Sequence, residues 1–152
     1  MKDMKRYTFL RTLAALPLLA VLPASAAGPQ VIVYKTVTCG CCGKWVEHLK
    51  AKGFEPVVKD VPSTAVYRRQ YGVPDKLVSC HTAVVGGYTI EGHVPAADIH
   101  RLLKTKPAAK GLAVPGMPLG SPGMEAGRRD PYSVLLFQAD GTTSVFQKYP
   151  GD

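Results

Sequence analysis

The sequence predicts an α/β fold in a single domain that follows an N-terminal export signal. The length of 152 residues suits one domain, and 46% apolar with 20% charged residues is typical of globular proteins. Short β-branched runs alternate with stretches of helical apolar spacing, which indicates mixed secondary structure. Only one continuously apolar stretch occurs, near the N-terminus, and this argues against a polytopic membrane protein.

Residues 1–26 have the pattern of a cleaved signal peptide. Four basic residues lie around the start of an apolar stretch from Thr12 to Leu22, and Ala24-Ser25-Ala26 offers an A-x-A cleavage site. The apolar stretch is about half as long as a bilayer crossing, so we expect cleavage and no stable membrane insertion. Residues 27–152 should then form a single exported, periplasmic domain, in a compartment where disulfides persist.

The net charge of +8 does not indicate a nucleic-acid partner. The first 26 residues carry four basic residues and one acidic residue. The remaining excess is spread along the chain with no basic run, so we expect a mildly basic surface that does not bind nucleic acid.

The first half of the mature chain predicts two strands and two helices. The β-branched run Gln30–Tyr34 predicts a buried strand. Lys44–Lys52 has apolar residues at helical spacing and stops at a glycine, as helices commonly do. Phe54–Val61 predicts a second strand, and Ser63 can cap a short helix that runs to Tyr71.

The second half predicts two hairpins and one long helix. Thr82–Val85 and Tyr88–Ile90 are joined by two glycines, and Tyr132–Phe137 and Thr143–Tyr149 flank an Asp-Gly turn. Pro95 begins a helix that runs to about Lys104. The order β-α-β-(α)-β-β-α predicts a thioredoxin-like fold, and the last hairpin is a C-terminal extension.

The segment Lys106–Pro131 differs in character because it is rich in proline and glycine. This composition excludes a regular element, so we expect a long loop that its own backbone hydrogen bonds cannot hold in one place. Met117 and Met124, the two methionines of the mature chain, lie here and not on an apolar helix face. Their thioethers suit Cu(I), which would then order the loop, while anchoring of the loop is the alternative.

Cys39 and Cys42 form a C-x-x-C at the predicted junction of a strand and a helix. Free N–H groups and the helix dipole at such a junction stabilise a thiolate, so at least one sulfur should be reactive. A redox couple, a soft metal site or a static disulfide would each fit this spacing. Cys41 lies between them and favours the metal site, because clustered thiolates select Cu(I) and similar soft ions.

Cys80 and His81 precede the third predicted strand, which should begin opposite the C-x-x-C turn. We therefore expect both side chains to face the cysteine cluster across a few ångströms. His93, after the second strand of the hairpin, is a further candidate ligand. His48 could approach the cluster or cap the end of its own helix, and His100 is expected to be solvated.

No nucleotide-binding loop, catalytic triad or paired carboxylates occur in the sequence, so hydrolase and nucleotide-dependent functions have no support. The segments Val33–Leu49, Ser79–Thr82, Glu91–Pro95 and Gly111–Pro118 together resemble the CopG copper-resistance family, once named domain of unknown function 411. The resemblance extends from about Val31 to Asp152. It implies a periplasmic, thioredoxin-like protein that binds several cuprous ions through cysteine sulfur, with copper-handling proteins as partners and a redox role on copper.

Two functions from different classes therefore remain. The first is copper detoxification, with Cys39, Cys41, Cys42, Cys80, His81, His93, Met117 and Met124 as metal ligands. The second is thiol–disulfide exchange catalysed by Cys39 and Cys42. A structural module with two disulfides has the least support.

Overall fold

The computed structural model describes residues 27–152, so the predicted signal peptide lies outside the described part of the chain. It contains seven strands, three α-helices and one 3₁₀ turn. In chain order these are β1 (Gln30–Lys35), α1 (Gly40–Ala51), β2 (Glu55–Asp60), α2 (Ala65–Gln70), a 3₁₀ turn (Asp75–Leu77), β3 (Thr82–Val85), β4 (Tyr88–Glu91), α3 (Ala96–Thr105), β5 (Gly111–Ala113), β6 (Tyr132–Phe137) and β7 (Thr143–Tyr149).

One mixed sheet contains all seven strands in the order β2-β1-β3-β4-β5-β6-β7. β1 is parallel to β2, and β3 runs antiparallel to both β1 and β4. β5 is parallel to β4, and β6 and β7 form an antiparallel hairpin at the edge. The α/β class, the predicted element order and the C-terminal hairpin are confirmed. The thioredoxin-like assignment stays a prediction, which the order of the first four strands supports.

The register brings several chain segments together at one end of the strands, which we call the cysteine edge. Tyr34, Thr82, Glu91 and Ala113 lie in one row across β1, β3, β4 and β5. β1, β4 and β5 end at or just after this row, whereas β3 begins there. The residues that follow β1, β4 and β5 and those that precede β3 therefore meet at the same edge.

α1 and α3 pack on one face of the sheet around Trp45, which is completely buried. Its Nε1–H donates to the carbonyl of Val94 at 2.9 Å, so the indole is hydrogen-bonded as well as enclosed. A smaller cluster of Val73, Leu77, Ala113 and Phe137 forms a second apolar group. Within residues 27–152, no helix combines the length and the apolar character needed to cross a bilayer.

The prediction that Lys106–Pro131 has no regular element is wrong for β5. Gly111–Ala113 is fully buried between β4 and β6 and pairs with both. A Cβ on Gly111 would lie 1.7 Å from the carbonyl oxygen of Thr89, so only glycine permits this pairing. The sheet is continuous because this strand joins its two halves.

Truncating Leu112 should test whether β5 belongs to the core. Leu112→Ala removes a fully buried side chain between two strands and should cost about 2–5 kcal/mol in the free energy of unfolding. The control is Val145→Ala in β7, where the side chain is 52% exposed and the cost should stay below about 1 kcal/mol. Equal midpoints for both variants in urea unfolding would contradict the assignment.

Candidate metal centre

The sequence predicts that the first helix begins at Lys44, but α1 begins four residues earlier, at Gly40 within the cysteine cluster. Cys39 is the residue that caps the helix, and Cys41 and Cys42 lie in its first turn. The sequence Gly-Cys-Cys-Gly of this turn carries no long apolar stripe, which is why apolar spacing placed the start too late. The cysteines are thus held on a regular backbone at the edge of the sheet.

Cys39 and Cys42 are joined by a disulfide, with their Cα atoms 5.4 Å apart. Cys41 and Cys80 are free thiols. The Sγ of Cys41 lies 3.5 Å from that of Cys39, so the third cysteine of the cluster stays close to the pair. In this structure the C-x-x-C pair is therefore oxidised, a state that both a redox couple and a static disulfide would have.

Cys80 faces the cluster, as its place before β3 predicted. Its Sγ lies 3.5 Å from the Sγ of Cys42 and 3.9 Å from that of Cys41. The four sulfur atoms all lie within 4.8 Å of one another. A segment 38 residues away in the chain therefore completes a group of four sulfurs.

Two buried histidines extend this group on the other side of Cys80. The Sγ of Cys80 is 3.0 Å from Nε2 of His93 and 3.4 Å from Nδ1 of His81. Nδ1 of His93 contacts the carbonyl oxygen of Pro122 at 2.7 Å. Because a carbonyl only accepts, this Nδ1 carries the hydrogen, and the lone pair of Nε2 points to the sulfur. Sulfur and imidazole nitrogens form a second group of three within 4.8 Å.

Burial sets the protonation of these three side chains. It lowers the pKa of His81 to about 3, with a further contribution from the charge of His93, and it also lowers the pKa of His93. Both imidazoles are therefore neutral near pH 7 and can offer lone pairs. Burial, with the neighbouring Cys41 thiol, raises the pKa of Cys80 to about 12. A metal that binds Cys80 must displace a proton from it.

One of the two ring nitrogens of His81 has no hydrogen-bond partner among the described residues. This atom is Nε2, and it is buried. An unpaired buried nitrogen costs free energy unless something binds it. The ring nitrogen that faces the thiols is Nδ1, 3.4 Å from the Cys80 sulfur, and this is the atom that could bind a soft metal ion beside Cys80.

The loop after β5 packs directly against the cluster. Gly123 has φ +88°, and a Cβ there would lie 2.7 Å from the carbonyl oxygen of Cys41 and 2.9 Å from the nitrogen of Trp45. Its N–H donates to both carboxylate oxygens of Glu125 at 3.0 Å. Only glycine allows so close an approach of the loop to α1.

The expectation that backbone hydrogen bonds cannot hold this loop is wrong. Met124 donates its N–H to the carbonyl of Ser121 and accepts from Gly120, and Gly116 donates to Val78. Met117, which follows Gly116, is 51% exposed, while Met124 is half-buried. The loop is thus fixed on two sides of the site, and ligation by either methionine stays a prediction.

The two remaining histidines lie outside the groups around Cys80. Nε2 of His48 accepts the N–H of Ala96 at 3.1 Å and so caps α3, which neither alternative for His48 had foreseen. His100 is exposed, as predicted, and contacts the carbonyl of Lys52 and the ring of Phe54.

Sequence reasoning missed Glu91, a completely buried carboxylate at the end of β4. Its oxygens accept the N–H of Ser79 and the hydroxyl of Thr82. The available signal was an acidic residue at the end of an otherwise uncharged strand, directly before Gly92 and His93.

A family model matches the part of the chain that carries half of this site. The family model described as "Protein of unknown function, DUF411" matches residues 77–124, the part that contains Cys80, His81, His93 and both methionines. No curated protein matches the sequence.

Two solved structures are similar to this chain over most of its length. "Copper resistance protein copG- Form 1" is 44% identical with a TM-score of 0.76, and the match covers 80% of this chain and 98% of that one. "Copper resistance protein copG- Form 2" is 43% identical with a TM-score of 0.77 and coverages of 81% and 99%. At this identity and coverage, the chain belongs to the CopG copper-resistance family, and its function is related to copper.

Proposed function

We propose that the protein binds Cu(I) as its cargo, in a site built from cysteine sulfur and histidine nitrogen, within an exported copper-tolerance system. The observation that carries the proposal is the convergence of four sulfurs and two neutral imidazoles around Cys80. Thiolates and imidazoles are the donors that cuprous ions prefer. Both similar structures are named as copper-resistance proteins, which supports copper as the metal.

The position of Cys80 supports more than one bound ion. It belongs both to the group of four cysteines and to the group with His81 and His93. A single thiolate has several lone pairs and can bridge two metal ions, so one ion in each group could share this sulfur. Met117 and Met124 would complete the coordination from the loop.

The disulfide sets a condition for loading. Cys39 and Cys42 can act as thiolate ligands only after two electrons and two protons have converted the disulfide to two thiols. In the oxidised state, Cys41 and Cys80 are the only cysteine thiols left. We infer that the reduced protein is the form that takes up most copper. A reductant in the compartment to which the protein is exported must then reduce the disulfide before copper binds.

The disulfide also favours a second candidate, thiol–disulfide exchange by Cys39 and Cys42. Its position at the start of α1 suits such a reaction. The two additional thiols, each 3.5 Å from a sulfur of the pair, favour copper instead, since dithiol exchange does not need them. If exchange is the function, disulfide turnover should survive the loss of Cys41, because the reaction needs only the thiols of Cys39 and Cys42.

Copper capacity should depend on the state of the Cys39–Cys42 pair. Fully reduced protein should bind more than one Cu(I) per chain, and protein with the disulfide intact should bind fewer, because two sulfurs are then unavailable. The measurement is copper per chain by mass spectrometry after anaerobic desalting in a chelator that removes loose Cu(I). Equal copper in both states, or Zn(II) competing at equal concentration, would contradict the proposal.

Replacing Cys41 should separate the two candidate functions. In Cys41→Ser a hydroxyl, a poor ligand for soft ions, replaces one sulfur, so copper per chain should fall. Cys39 and Cys42 should still form their disulfide, which counting thiols before and after reduction will establish as the control. Unchanged copper binding in this variant would favour a plain dithiol site.

A further inference from the structure

Cys80 lies in a segment that has no regular secondary structure. Val78–His81 joins the 3₁₀ turn to β3 and belongs to neither. A strand or helix fixes its side chains through repeated backbone bonds, but this segment has no such repeat. Backbone–backbone hydrogen bonds hold only its two end residues: Val78 bonds to Asp75 and Gly116, and His81 accepts from Gly92. The position of the Cys80 sulfur must therefore depend on contacts from elsewhere in the fold.

Ser79, directly before Cys80, receives such contacts from three sides. Its N–H donates to Oε1 of Glu91 at 2.8 Å, and its carbonyl accepts from Nη1 of Arg68 at 3.4 Å. Its hydroxyl donates to the carbonyl of Gly116. All the hydrogen-bonding groups of this one residue are thus used to hold the backbone beside Cys80.

Glu91 and Arg68 are also close to each other. Nη1 of Arg68 lies 3.8 Å from Oε1 of Glu91, and the side chains are 16% and 0% exposed. The same guanidinium nitrogen therefore approaches both the carbonyl of Ser79 and the carboxylate that holds the N–H of Ser79. The two side chains thus bind both backbone polar groups of Ser79, Glu91 its N–H and Arg68 its carbonyl.

Stability alone explains this arrangement poorly. Burying a carboxylate costs free energy that a partner at 3.8 Å recovers only in part, and apolar residues of similar volume often stabilise such positions more. The other strands in the same row place Tyr34, Thr82 and Ala113 there, none of them charged. The charged pair instead fixes the position of the backbone at Ser79, which no regular secondary structure holds.

We propose that Glu91 and Arg68 are positioning residues for Cys80, which hold its sulfur at the junction of the two ligand groups. This inference rests on the proposed copper function. A shift of the segment would separate Cys80 from Cys42 and from His93, now at 3.5 and 3.0 Å, and so weaken both groups at once. Neither Glu91 nor Arg68 contacts the metal ligands' donor atoms in this arrangement; they act through Ser79.

The first test compares two neighbouring arginines. Arg68→Gln removes the contact with Ser79 and the charge beside Glu91, whereas Arg69→Gln removes the same charge from an exposed position. In reduced protein, Arg68→Gln should lower Cu(I) affinity about 10- to 100-fold, as loss of a group that orients a metal ligand commonly does. Arg69→Gln should match the unchanged protein in a competition titration with a chromophoric Cu(I) chelator.

The second variant is Glu91→Gln, which keeps the size of the side chain but offers only one acceptor oxygen. Either Ser79 or Thr82 then loses its partner. We expect a loss of Cu(I) affinity in the same range as for Arg68→Gln, about 10- to 100-fold. Thermal unfolding of each copper-free variant identifies any that fails to fold. If Arg68→Gln fails because it leaves a buried carboxylate without its partner, Glu91→Gln, which leaves no buried anion, decides the test.

A second measurement needs no copper. In the metal-free protein with its disulfide intact, the rate of alkylation of Cys80 is followed by peptide mass spectrometry. Displacement of the segment should make the half-buried Cys80 react several-fold faster in Arg68→Gln and Glu91→Gln, but not in Arg69→Gln. A general loosening of the fold would accelerate Cys41 equally, so the ratio of the two rates reports on Cys80 itself.

The two measurements distinguish the inference from the proposed function. Folded variants with unchanged Cu(I) affinity and an unchanged Cys80-to-Cys41 ratio would overturn the positioning of Cys80. If the unchanged protein binds no Cu(I) while the ratio still rises in both variants, the positioning stands and the proposed function fails.

Discussion

The approach of the Cys80 sulfur to Cys42 on one side and His93 on the other is the contact on which the site depends. Cys39, Cys41 and Cys42 are neighbours in the chain and need only the first turn of α1 to stay together. Cys80, His81 and His93 reach them through the pairing of β1 with β3 and of β3 with β4. The sheet register is therefore as much a part of the site as its sulfurs.

Burial gives these side chains a chemistry that they would lack in water. The same exclusion of solvent keeps His81 and His93 neutral and holds the proton on Cys80. Neutral imidazoles are ready to bind a cation, whereas the thiol must first lose its proton, so binding and proton release are coupled. A soft ion that forms strong bonds to sulfur can meet this cost, and a weakly bound hard ion cannot.

The sequence predicted best what local pattern determines. The final hairpin, Tyr132–Phe137 with Thr143–Tyr149, has the predicted bounds because short runs of β-forming residues on both sides of an Asp-Gly turn specify it locally. β5 escaped prediction because three residues among prolines and glycines show no period, and only their neighbours make them a strand. Similarly, His48 caps a helix that lies 48 residues away, and the partners of Glu91 come from tertiary structure.

Within residues 27–152, both groups of potential metal ligands lie at the end of the strands where the cysteines are, and neither lies at the opposite end. β3 starts at the cysteine edge and β4 returns to it, so the Gly86-Gly87 turn between them lies at the far end of both strands. Gly86 lies four residues after Thr82, which is roughly 13 Å along the strand. A fluorophore or a tether attached next to this turn, at a residue other than the two glycines with their positive φ, would therefore lie away from the sulfurs.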